Sequence, residues 1–139
     1  MSKIIFAIAV VMLVMHAGTF VAYGSFSATF DLQPPAGVSP GQLFLAVFIM
    51  KLGVSIAFVL LFSVAREVWT RRWLLYAAIW FVMFAVIEVG QAVTPNYSWL
   101  EAVAGVIAEA IYFPLSAWLT VKILRGKSAP ANSIDGPGQ

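Results

Sequence analysis

His16, Lys51, Glu88 and Glu109 each stand within a long apolar run, one in each of four such runs. An imidazole, an ammonium and two carboxylates are groups that pair as ions or pass protons. Near a helix centre in lipid each costs at least about 2.5–3.5 kcal/mol, and such residues usually face a bundle interior or a wet cavity. The glutamates contribute two negative charges, Lys51 one positive, and a protonated His16 would complete neutrality. In a low dielectric a contacting pair is strongly coupled, whereas an unpaired group sheds its charge. The expected arrangement pairs Lys51 with one glutamate. The other then shares a proton or a hydrogen bond with His16, Tyr112 or Gln91, which makes it the natural proton carrier.

Spacing extends these four residues into stripes. Met12, His16, Thr19, Tyr23 and Ser27 recur at steps of three and four, and the second run offers Lys51, Ser55, Ser63 and Arg66. The third gives Tyr76, Trp80, Phe84, Glu88 and Gln91; the fourth gives Glu101, Gly105, Ala108, Glu109, Tyr112 and Ser116. Each set falls on one side of a 3.6-residue helix. Together they predict one shared polar seam of His16, Lys51, Glu88, Gln91, Glu109 and Tyr112, supported by Thr19, Tyr23, Ser55 and Ser116. Counted from the centres of the runs at the helical rise, His16, Lys51 and Glu109 lie ~3–4 Å to the outer side and Glu88 ~7 Å. Because successive runs alternate in direction, this agreement in depth is not automatic.

The competing reading of the same stripe is polar glue. Hydrogen bonds and small residues hold membrane helices together at ~0.6–2 kcal/mol per contact, and Gly105 and Ala108 suit close packing. Four ionisable groups are a costlier glue than four serines, which keeps a functional role in play.

The elements that position these residues follow from composition. The chain has 139 residues, 62% hydrophobic and 10% charged, with a mean hydropathy of +0.95. Soluble domains carry about 25% charged residues and under 50% apolar ones, and small domains leave roughly a third of their surface exposed. A soluble enzyme, a disordered chain and a nucleic-acid module are excluded. About 20 apolar residues cross the hydrocarbon core, and four segments qualify, at about 4–23, 43–64, 73–93 and 100–123. The first has signal-peptide polarity at Met1-Ser2-Lys3, but its apolar character continues through Val21 and Ala22, so it is read as a retained span.

Six of the eight basic residues are Arg66, Arg71, Arg72, Lys122, Arg125 and Lys127, all in the central loop or after the fourth span. Residues 24–41 and 94–98 contain no Lys or Arg. The positive-inside rule places the central loop and both termini in the cytoplasm. The expected fold is an all-α integral membrane protein, an antiparallel four-transmembrane-helix bundle over residues 1–125, followed by a polar, disordered tail at 126–139. Ser39 with Pro40, and Ser98 with Glu101, read as helix starts, the latter pair a capping box. Trp69, Trp73, Tyr97 and Trp99 fall near span ends as an aromatic belt. Pro114 is expected to kink the fourth helix one turn beyond Glu109. The location expected is a bacterial inner (plasma) membrane.

Zero cysteines exclude disulfides, thiolate catalysis and Cys-ligated zinc or iron–sulfur centres, and one histidine excludes a bis-His haem within one chain. No Walker loop, dinucleotide fingerprint, HExxH or GxSxG is present. No metal and no cofactor is expected, haem or another ligand on His16 being the minor alternative, and no catalytic set is identified. The expected partners are the lipid bilayer and either further copies of the chain or a larger membrane complex, with no nucleic acid. Three functions compete: conduction of protons or a small solute through the seam; a non-catalytic subunit or assembly factor; and a membrane enzyme or redox carrier acting on lipid, quinone or haem.

Overall fold

The computed structural model describes residues 2–31, 37–95 and 97–125. The tail expected at 126–139, the Pro34-Pro35 pair and Asn96 lie outside them. Among the described residues five helices follow one another: α1 (Ser2–Phe30), α2 (Pro40–Val64), α3 (Arg66–Arg71), α4 (Trp73–Ala92) and α5 (Trp99–Leu124). All but α3 are long and apolar enough to cross a membrane, and among the described residues there is no strand.

The helix starts follow local chemistry. Ser39 caps α2 through its side chain, Gln42 reciprocates, and Pro40 opens the first turn. Ser98 and Glu101 form the same box at α5, satisfying donors that lipid could not. Two features differ from the sequence reading. Helix α1 continues past Tyr23 to Phe30, because Gly24 alone does not stop a helix. Ser25 and Thr29 there bond back to the carbonyls of Val21 and Ser25, at 2.7 and 2.8 Å. The central loop is itself helical as α3, so Arg66 opens that helix instead of extending the stripe of α2.

Helix α5 is the central element. It packs against α1 on one side and α4 on the other, while α2 leans chiefly on α1. Its most apolar stretch is 50% buried, against 17–22% for the other three. The reason lies in its sequence: six of its twelve buried residues, Ala102, Ala104, Gly105, Ala108, Ser116 and Ala117, are small, which lets backbones approach in the absence of a hydrophobic drive. Toward α3, large rings bridge α2 to α4. Phe58 meets Tyr76, Trp80 and Phe113 at centroid distances of 4.8, 5.4 and 6.0 Å, and the Tyr76 hydroxyl donates to the Phe58 carbonyl.

Helix α1 lies close to α5 at Gly18, where an added methyl would lie 3.2 Å from Cβ of Tyr112, whereas one on Gly24 meets nothing within 4 Å. Since Cβ is tied to the backbone, the contact must open by a few tenths of an ångström. Gly18→Ala should therefore be less stable than Gly24→Ala in detergent unfolding, by about 1–3 kcal/mol of overpacking before the helix-propensity gain the two share. Equal midpoints for the two variants would refute the close α1–α5 approach.

Candidate functional site

The polar side chains gather in the layer between the aromatic floor and the α4–α5 connection. Lys51 is 6% exposed and Glu109 2% exposed. The Lys51 ammonium donates to the Tyr112 hydroxyl at 2.9 Å and lies 4.6 Å from the centre of that ring. Its direct partner is thus a phenol. No glutamate pairs with it in contact, contrary to the sequence expectation, although Glu109 and Glu88 are near enough to act on it electrostatically. Tyr112 wins because it projects from α5 where α1 has only Gly18, which leaves room for the ring between the helices. Ser55 lies one turn beyond Lys51, bonding its carbonyl at 2.6 Å and touching Met15 Sδ at 3.6 Å.

Glu88 is held differently. Its carboxyl group rests directly on Gly105 of α5, where an added Cβ would stand 2.5 Å from the carboxyl carbon. The Tyr97 hydroxyl donates to Glu88 and is 2.7 Å from the Tyr23 hydroxyl. A phenol has one proton to give, so with Tyr97 committed to Glu88, Tyr23 donates to Tyr97. The result is a directed chain, Tyr23 to Tyr97 to Glu88, joining α1, the α4–α5 connection and α4. Burial, with the bonds to Glu88 and Tyr23, pushes the Tyr97 phenol above its ordinary range.

Glu109 stands between these two arrangements without joining either by a hydrogen bond. Its Oε2 is buried with no partner among the described residues. It lies within electrostatic reach of Glu88 and Lys51, and Tyr112 within reach of Glu109, Glu88 and Tyr23. Thr19 and Ser116 likewise present buried hydroxyls without partners among the described residues.

The remaining candidates lie apart. His16 has both ring nitrogens buried and unpartnered, ringed by Phe20, Phe44 and Phe48 at 5.8, 6.0 and 5.8 Å. It shares no hydrogen bond with either glutamate. Gln91 is exposed, and it contributes only its carbonyl, to the backbone and hydroxyl of Thr94. Three residues past Glu88 is a rotation of about 300°, which carries Gln91 off the buried side, and Ala92, at four residues, takes that place. No group of three or more His, Asp or Glu suited to a metal occurs among the described residues.

Tyr97 is the residue that sequence reasoning missed, having assigned it to the aromatic belt. Its one signal was position, in a connection too short to move far from the end of α4 that carries Glu88. Gly18 was the other omission, a small residue beside Thr19 of the expected seam.

Comparison with known protein families, curated proteins and solved structures finds no match to this chain.

Tyr97→Phe removes a donor from Glu88 and an acceptor from Tyr23, and should cost about 1–2 kcal/mol, less than a fully buried loss because the site is half-buried. Tyr23→Phe leaves the Glu88 contact in place and should cost roughly half as much. A phenol held up in the folded state contributes fully below the unfolded value near 10, and that contribution fades as pH rises past it. Wild-type unfolding midpoints should then fall more steeply above about pH 10 than those of Tyr97→Phe. Parallel curves would deny Tyr97 its role as a buried donor.

Proposed function

We propose that this chain is an antiparallel four-helix bundle of a bacterial inner (plasma) membrane, with both termini cytoplasmic, acting as a homo-oligomer. In this reading it conducts protons or a small solute through the polar seam between α1, α2, α4 and α5. The observation that carries the reading is Glu109, a carboxyl group 2% exposed whose Oε2 has no partner among the described residues. Glue would leave no such orphan, since a buried acceptor without a donor costs stability and holds nothing together. A carrier needs one: a site that takes a proton, holds it away from lipid, and gives it up again. Ionisable groups within spans mark ion and proton pathways by default.

The neighbours supply the steps. A phenol both accepts and donates, so the Tyr23–Tyr97–Glu88 chain reverses direction if Glu88 gains a proton. Glu88 then donates to Tyr97 and Tyr97 to Tyr23. Glu109 shares the field of Lys51 and Glu88, so a charge gained on one alters the proton affinity of the others. Tyr112, accepting from Lys51, keeps its own proton to give.

A second reading, a non-catalytic subunit or assembly factor of a larger membrane complex, draws support from the satisfied contacts. Lys51 with Tyr112, and Glu88 with Tyr97, join helices without chemistry.

The test is proton flux in liposomes under an imposed pH gradient. Glu109→Gln should lower flux by roughly 100-fold, the lower end for a positioned proton-transfer group, with the unfolding midpoint nearly unchanged. Glu67→Gln, on α3 and away from the polar layer, should retain flux. Absence of flux in the wild type, or full flux in Glu109→Gln, defeats the conduction reading. A variant that loses only stability, or native mass spectrometry of gently extracted protein showing a foreign subunit, moves the assignment to the structural role.

A further inference from the structure

The end of the molecule away from Tyr97 carries a cleft of about 750 Å³ lined by Arg66, Arg71, Arg72 and Arg125, with Thr70 and the single acid Glu67. The first three arginines belong to α3 and its C-terminal cap, and Arg125 caps α5, so two distant stretches of sequence meet there. Four guanidinium groups against one carboxylate leave a formal excess of three positive charges. Among the described residues no carboxylate pairs with any of them. Like charges gathered without counter-charge repel, and an anion seated between them turns that repulsion into binding. The planar fork of arginine matches phosphate in a bidentate manner that lysine does not reproduce.

The surroundings indicate an amphiphile. Val68, on α3 itself, is 53% exposed, and Leu74, just past the cleft on α4, is 60% exposed. Trp69 and Trp73 flank them half-buried, and Lys122 sits 5.5 Å from the centre of the Trp118 ring. Exposed aliphatic residues beside paired aromatic and basic ones are the composition of a membrane–water boundary. We infer that this cleft binds the phosphate headgroup of an anionic phospholipid, whose acyl chains lie along the exposed apolar face of α4. This site is separate from the polar seam and does not depend on what the seam does.

The full chain in nanodiscs or mild detergent tests it, with retained lipid read by native mass spectrometry and affinity by titration. Phosphatidylglycerol should bind at least about tenfold more tightly than zwitterionic phosphatidylcholine, a difference within the scope of one or two charge-assisted contacts. Arg72→Gln/Arg125→Gln removes two of the charges that tell the two lipids apart and should erase most of that preference. The single Arg125→Gln, on an exposed helix end, should erase part of it and serves if the double variant folds poorly. Lys3→Gln, outside the cleft, and Glu109→Gln, in the seam, should both leave the preference intact. Equal binding of the two lipids, or an unchanged preference in the arginine variants, overturns the inference. So does displacement of phosphatidylglycerol by equimolar inorganic phosphate, which would mark the cleft as a site for a soluble anion.

Discussion

Lys51 is buried with one phenolic hydroxyl as its direct partner, and the packing of three helices around that contact follows from the inability of hydrocarbon to offer another. In water an ammonium can be left to the solvent. Within apolar helices each donor must find an acceptor in protein or carry a penalty of several kcal/mol. The Tyr112 ring reaches Lys51 because Gly18 lets it lie flat against α1. One absent side chain on one helix thereby sets the position of a charge on a second through a ring on a third.

The same logic, applied at Gly105, seats the Glu88 carboxyl against α5. Both close approaches involve glycines that no turn or unusual backbone angle requires; their role is to provide room. They allow polar groups to sit between helices, where long side chains would have held the backbones apart. The aromatic floor of Phe58, Tyr76, Trp80 and Phe113 works in the opposite way. It fills the space between α2 and α4 with large rings, so the two helices associate there without close backbone contact. Small residues at the polar layer and rings below it give the helix cluster two kinds of adhesion at two depths.

At the far end the physics changes again, because water is within reach. Arg66, Arg71, Arg72 and Arg125 are exposed there, and exposed charges add little to stability. Helix α3 is short and has no side-chain cap, so its order depends on the α2 and α4 ends between which it is strung. That tether is what brings Arg66, Arg71 and Arg72 to the side of the cluster where α5 ends in Arg125.

The apolar spans, their capping boxes and the helix on which each ionisable residue sits were legible in the residues alone, since hydropathy, 3.6-residue periodicity and caps are local properties. The end of α1 was misjudged because glycine weakens a helix without terminating it. Gln91 was placed on the seam by a three-residue step that in fact turns it away from the buried side. What could not be read was which polar group meets which. Lys51 had two glutamates available by charge and takes a tyrosine; Glu88 takes Tyr97, a residue whose type and position suggested only an interfacial anchor. Partner choice depends on helix rotation and on interaxial distance, and both are settled where two surfaces meet. Composition thus pointed to the solvent in which this chain folds, and the packing of the helices decided which polar groups meet, because a hydrogen bond is decided within tenths of an ångström and helical periodicity resolves only a face.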